Sequence, residues 1–291
     1  MSKIEEIKKI SILADKYEIF LLDQWGVIHN GHIGYQNAIS CIKKLYDLGK
    51  KIIIISNSSI RKKNTISSLK KLGFEDKKFF EVMTSGEIIW QNLNSRSKKF
   101  FNKLGSKCFY ISSSKNIKLD TYISGLKYNF VNNIKNADFI LGCSPFSDTS
   151  TIDYIPILEI AIKKKLPFVC ANPDYQTIDK FGNLVICMGS IAELYKDFGG
   201  KVIFFGKPSI EIYIQATKKI INENKKKIIA IGDSLDHDIK GAKNFGIDSI
   251  LITTGIHKSF FYQNEVKLRN HKKNLMDLNN KPTYLCSEFK F

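Results

Sequence analysis

Short, nearly uninterrupted apolar runs alternate along this chain with segments whose apolar positions recur every three or four residues. The runs have strand length and are rich in Ile, Val and Phe, as expected of strands buried on both faces of a parallel sheet; the periodic segments predict helices. Residues 18–23 read as a buried strand ending in Asp23, and residues 51–57 as a second ending in Ser56 and Asn57. Helices are predicted over residues 3–16, 38–48 and 62–72, the last two stopped by Gly49 and Gly73. The middle of the chain holds strand candidates at 108–112, 139–142, 168–171 and 184–187. Helical patterns lie around them, notably at 155–165 and at 85–93, where Trp90 reads as core packing.

After Gly199 and Gly200 the first pattern returns, with strands at 202–205, 227–233 and 249–253, helices at 209–223 and 239–245, and a last strand near 282–286. No internal repeat interrupts this order. The expected architecture is α/β: a doubly wound parallel core from residues 1–85 and 191–291, with a second α/β unit inserted at 86–190.

Composition adds little to the fold and something to the surface. The net charge is +17, but 42 of the 45 basic residues are Lys and only Arg61, Arg96 and Arg269 are Arg. Nucleic-acid readers place Arg where bidentate contacts matter. A Lys-, Asn- and Ile-rich chain instead fits solvated faces encoded by an AT-rich genome, so nucleic acid is not an expected partner. The field would still attract anionic metabolites. Lys225, Lys226 and Lys227 read as a solvated helix end. The six cysteines lack metal-site spacing and read as free buried thiols of a reducing compartment. No run approaches the ~18–20 apolar residues of a membrane helix. The first residues carry acidic side chains without the apolar stretch of a secretory signal, so the expected location is the cytoplasm.

The chemistry gathers at strand tips. In an open parallel sheet, ligands bind at the C-terminal edge. Asp23, Ser56, Asn57 and Asp233 all end strands there, and Lys207 follows another. Carboxylates suit a hard cation such as Mg²⁺, a lysine and a hydroxyl suit a phosphate, and a carboxylate can itself be a nucleophile.

In order and spacing, Asp23, the Ser56–Asn57 pair, Lys207 and the segment from Gly232-Asp233 to Asp238 resemble the four motifs of the haloacid-dehalogenase-like (HAD) hydrolases. More narrowly, the chain is similar to subclass IIA, the group of sugar-phosphate, nitrophenylphosphate, phosphoglycolate and pyridoxal-phosphate phosphatases. Gly26-Val27 after Asp23, the Asn172-Pro173-Asp174 segment, Gly206-Lys207-Pro208-Ser209 and Gly232–Ile239 carry that likeness. The resemblance implies a Rossmann-like HAD core with an inserted α/β cap that selects the substrate and closes to exclude water. It implies Asp23 as the nucleophile taking the phosphoryl group and binding Mg²⁺, and Ser56 with the Asn57 backbone as the phosphate holders. Lys207 would neutralise charge, Asp233 and Asp238 would serve the metal, the Trp25 carbonyl would be a further metal ligand, and Asn172 and Asp174 would lie near the cap–core cleft. The implied reaction is Mg²⁺-dependent hydrolysis of a small phosphorylated metabolite through an aspartyl-phosphate.

One position departs from the pattern. Phosphatases of this family carry a second Asp two residues after the nucleophile, and here that residue is Trp25. A positioned general acid/base is worth ~10²–10⁴-fold, and an indole supplies none of it. Three readings stay open: a substrate whose leaving group needs no proton; a proton from His29 or His237; or a catalytically weak or inactive protein that binds a phosphorylated ligand or partner. A subgroup of the family looks similar in carrying an aromatic residue here. His29 and His32 read as loop histidines. Phe260, Phe261 and Tyr262 read as surface packing, with a homodimer contact as the alternative.

Overall fold

The computed structural model describes residues 4–114, 120–178, 183–220, 224–262 and 280–291. Its strands are β1 (Glu5–Glu6), β2 (Ile19–Leu22), β3 (Lys51–Ser56), β4 (Glu81–Thr84), β5 (Lys107–Ile111), β6 (Asn129–Val131) and β7 (Phe139–Gly142), followed by β8 (Phe168–Cys170), β9 (Gln176–Ile178), β10 (Leu184–Ile186), β11 (Val202–Ile203), β12 (Ile228–Gly232), β13 (Asp248–Ile252) and β14 (Tyr284–Cys286). A seven-stranded sheet runs β1-β14-β13-β12-β2-β3-β4, and a five-stranded sheet runs β11-β8-β7-β5-β6. Every pairing within both sheets is parallel. A separate antiparallel hairpin joins β9 to β10.

Alternation explains why the central strands look uniformly apolar. Phe20, Leu22, Ile52, Ile54, Ile229 and Ile231 face one core cluster, while Ile19, Leu21, Ile53, Ile55, Ile228 and Ala230 face another. Helices cover both faces, so neither set meets water. α1 (Gln36–Asp47) buries Ala38, Cys41, Ile42 and Leu45, the stripe of an amphipathic helix. α2 (Lys62–Lys71) and α3 (Ser85–Ser95) follow, the latter capped by Thr84, whose side chain accepts from the Glu87 N–H. α4 (Lys99–Asn102), α5 (Ile155–Lys163) and α6 (Met188–Asp197) belong to the middle of the chain; α7 (Ile210–Ala216), α8 (Lys240–Phe245) and α9 (Lys258–Tyr262) belong to its end.

Several expectations are corrected. The helix predicted over 3–16 is the edge strand β1, hydrogen-bonded to the last strand, followed by a 3₁₀ turn at Ile10–Leu13. Ile4, Ile7, Ile10 and Leu13 are buried at intervals of three, a spacing a 3₁₀ turn and an edge strand serve as well as a helix. The strand expected at 202–205 is the short β11, and it pairs with β8 in the five-stranded sheet. α6 packs on that same sheet, so residues 191–203 sit with the middle unit and not with the seven-stranded core. The helix expected at 209–223 ends at Ala216, with a turn at Lys218–Ile220; residues 221–223 lie outside the described residues. Lys225–Lys227 form a 3₁₀ turn and not a helix end. Phe261 is buried, against the surface reading, while the side chains of Phe260 and Tyr262 lie outside the described ones. All six cysteines are free and buried, as expected.

Candidate active site

The seven-stranded sheet reverses its order between β2 and β12. From β2 the chain builds outward through β3 and β4; from β12 it builds the other way. Asp23 follows β2 directly, with its N–H donating to the Ile231 carbonyl at 2.9 Å, and Asp233 follows β12. Two carboxylates therefore emerge side by side at the switch point, where open α/β sheets bind ligands.

Lys207 enters from the loop after β11. Its Nζ donates to Asp23 Oδ1 at 2.6 Å and to Asp238 Oδ1 at 2.7 Å, almost wholly out of water. Asp238 sits in a single π-type turn, Leu235–Ile239, that leads into α8, and its second oxygen accepts the Ser234 N–H at 3.1 Å. Such turns often mark functional positions in helices. Asp233 Oδ2 accepts the Ile256 N–H at 2.8 Å. Gly26 passes so close, at φ +75°, that a Cβ there would collide with the Asp233 carboxylate.

Oxygens of Asp23, Asp233 and Asp238 lie within 4.8 Å of one another. Three buried carboxylates face one ammonium. Burial pushes Asp23 up to about 7, with Asp238 and Asp174 adding to it and Lys207 opposing. Burial, then the Asp23 and Asp238 charges, hold Asp233 well above the usual carboxylate range. Burial disfavours the Lys207 charge, but Asp23 and Asp238 outweigh it and keep the ammonium protonated. An all-oxygen donor set with surplus negative charge fits a hard divalent cation.

A cleft opens over these groups. Asp23, Trp25, Asp233 and Asp238 line it from the seven-stranded sheet, Lys207 from the loop after β11, and Asp174 with β9 from the other unit. Ser56, Asn57 and Asn172 are not among the lining residues. Ser56 is buried, with its hydroxyl accepting the Ser58 N–H at 3.3 Å. Asn57 spends its side chain on framework bonds to Lys207 and Asp174. Asn172 acts one step back, its side chain accepting the Asp174 N–H at 3.1 Å.

The two histidines part company. His29 is buried outside the cleft lining, accepts the Gly31 N–H on Nδ1 at 3.0 Å, and is pushed down to about 4 by burial, so it stands in the frame of the loop and away from the reacting groups. His237 does line the cleft, 3.7 Å from Asp174 Oδ1, with the Tyr175 ring 4.9 Å away. Reasoning from strand tips missed Tyr35, β9 and the Thr254–Ile256 segment. The last follows β13 directly and obeys the same edge rule; β9 carries no sequence signal of its own.

A doubly wound sheet with an aspartate after its central strand, a lysine and two more aspartates around it, and a second α/β unit over the cleft defines an aspartate-centred hydrolase. Residues 20–122 match the family described as haloacid dehalogenase-like hydrolase, and residues 204–289 match the HAD-hydrolase-like family. The two matches together cover most of the chain, which belongs to the HAD-like hydrolases. It is similar to the 5'-nucleotidase of Bacillus subtilis (strain 168), at 21% identity over 88% of this chain and 94% of that protein. It is also similar to the acid sugar phosphatase of Staphylococcus aureus, at 23% identity over 83% of this chain and 88% of that one. A crystal structure of a haloacid dehalogenase-like hydrolase from Brucella suis 1330 shares the fold, with TM-score 0.80 and 24% identity over 97% of this chain and 99% of that one.

Proposed function

We propose that this protein is a divalent-metal-dependent phosphatase that hydrolyses a small phosphorylated metabolite through an aspartyl-phosphate on Asp23. The observation that carries this reading is the buried contact of Lys207 Nζ with Asp23 Oδ1 at 2.6 Å, on the floor of a cleft shared by both units. The phosphatase names of the curated relatives support it. Asp23, Asp233 and the Trp25 carbonyl would hold Mg²⁺, which supplies Lewis-acid stabilisation of phosphoryl charge. Asp238, whose oxygens accept from Lys207 and the Ser234 N–H, would hold Lys207 and serve the metal either directly or from just behind it.

With the surplus charge matched, the Asp23 carboxylate is ionised and attacks phosphorus. The P–O bond to the leaving group breaks, and its electron pair departs on the leaving oxygen. Lys207 neutralises charge on the nucleophile and the phosphoryl group. Water then cleaves the aspartyl-phosphate, returning the Asp23 carboxylate and inorganic phosphate, and the proton it releases ends on the departed oxygen. Ser56 and the Asn57 backbone would steady the phosphate once it is bound. Trp25 is read as the mark of a subgroup with an aromatic residue at this position.

The test is Mg²⁺-dependent phosphate release from p-nitrophenyl phosphate, acetyl phosphate and a panel of metabolite phosphates, with Asp23→Asn as the blank. Release that vanishes in Asp23→Asn is the expected result. Equal inertness of both proteins across the panel would sink the phosphatase and leave a phosphate-ligand-binding protein.

A further inference from the structure

We propose that the Trp25 side chain is the platform for the leaving group, and that this site takes phosphate monoesters of aromatic or heteroaromatic hydroxyls. The inference rests on the phosphatase reading and names the substrate class for that same site.

Trp25 lies two residues beyond Asp23 and lines the same cleft, yet it is 40% exposed, while Asp23 and Lys207 beside it are buried. A large ring left open beside a buried charge cluster is a surface a ligand can cover. Its neighbours hold it in one place. The benzo edge of the indole lies against Gly31, which has φ +87° and no room for a Cβ. The His29 ring meets the indole edge-on, with centroids 5.4 Å apart and planes at 74°. His29 is in turn fixed by the Gly31 N–H and by backbone bridges to Trp25 and Gly34. The loop from 25 to 34 is thus built around an indole set before any ligand arrives, which removes much of the ordering cost of stacking. Gln176, Thr177 and Ile178 of β9 add a wall of mixed polarity to the same cleft.

Chemistry points the same way. An alkoxide leaves poorly without a proton, and an indole has none to give. A phenolic or heteroaromatic oxygen carries the electron pair of the broken P–O bond into its ring and departs unprotonated. The indole at position 25 thus offers a stacking surface to the leaving groups that need no proton. Stacking of a ring on an aromatic side chain is worth ~1–3 kcal/mol, or about 5- to 100-fold in affinity.

The test uses the two tryptophans. In Trp90→Phe, the emission of Trp25 is the sole indole signal. With Mg²⁺ present, phenylphosphonate is expected to change that emission and to bind at least about fivefold more tightly than methylphosphonate. In Trp25→Leu the preference should vanish, and in Trp25→Phe most of it should remain. In turnover, Trp25→Leu should lower the ratio of kcat/KM for phenyl phosphate over acetyl phosphate by about the same factor. Equal affinities for the two phosphonates in Trp90→Phe, a measurement that needs no change at Trp25, would overturn the platform even if phosphate release is robust. A clear phenylphosphonate preference in a protein that releases no phosphate would keep the platform and remove the phosphatase.

Discussion

The Asn57 side chain donates to Asp174 Oδ1 at 2.8 Å and to the Lys207 carbonyl at 2.9 Å, while its own oxygen accepts the Lys207 N–H at 2.6 Å. One amide thus ties the tip of β3, the loop that carries the lysine, and the segment after β8 that roofs the cleft. Asn57→Ala should let Lys207 drift from Asp23. Misplacement of a catalytic group by about 1 Å costs on the order of 10²-fold, so kcat should fall by roughly that factor. Asp174→Ala, which leaves the Lys207 bonds intact, should cost kcat less. Steady-state kinetics on the two variants decide it; a larger kcat loss in Asp174→Ala would place the control in the roof and not in the floor.

Among the described residues, Lys207 is the single ammonium shared by Asp23 and Asp238. Lys207→Met leaves buried carboxylates without a counter-charge, and removing one partner of a buried pair costs about 3–5 kcal/mol. Urea unfolding in EDTA should show a loss of that order, and millimolar Mg²⁺ should restore part of the stability while phosphate release stays lost. If Mg²⁺ stabilises neither wild type nor variant, the carboxylates are not a cation site. Asp233→Asn is expected to weaken the Mg²⁺ effect on wild-type stability.

Trp25→Asp returns a carboxyl to the place where an indole now stands. A positioned general acid contributes about 10²–10⁴-fold, so hydrolysis of alkyl phosphates such as glycerol phosphate should rise towards the lower end of that range. Phenyl phosphate should gain far less, since its leaving group needs no proton. A rise equal for both esters would mean that protonation is not what position 25 controls.

Stability towards acid should depend on Glu87. Its carboxylate accepts from Arg61 Nε at 2.7 Å, from the Lys62 N–H at 2.9 Å and from Gln91 at 2.9 Å. Burial alone would raise it, but the Arg61 and Lys62 bonds prevail and hold it below its ordinary 4.5. The folded state then binds fewer protons than the unfolded one. The stabilisation is complete above pH 4.5 and is lost as pH falls through the lowered value. Glu87→Gln should cost about 1–3 kcal/mol at neutral pH and flatten the decline in melting temperature below pH 4.5. An unchanged acid limb would show that another group governs it.

The strands that carry the chemistry were readable because burial on both faces leaves a plain signature: four or five apolar residues and then a polar tip. Asp23, Ser56, Asn57 and Asp233 stand at those tips, and the edge rule links them without coordinates. Elements with weaker burial were not readable. β6, with one exposed and two half-buried residues, and β9, with a single apolar residue at Ile178, carry too few apolar positions to stand out. The N-terminal segment showed a spacing of three that two conformations satisfy, and only its hydrogen bonds to Thr283 and Leu285, nearly 280 residues on, selected the edge strand.

By itself, then, the sequence determined the α/β class, the doubly wound core and the placing of Asp23 and Asp233 on one sheet edge, because strand burial is a local property; that Lys207 reaches them from a loop after a strand of the other sheet was decided by the tertiary structure. Tertiary structure decided which residues face the ligand. Asn57 and Asn172 turned into framework, His29 into a buried brace, and His237, Tyr35 and β9 into walls of the cleft. It also showed the Trp25 indole set against Gly31 and part-exposed, in a residue that lines the cleft. Side-chain direction depends on contacts between segments far apart in the chain, and spacing along one segment does not encode them.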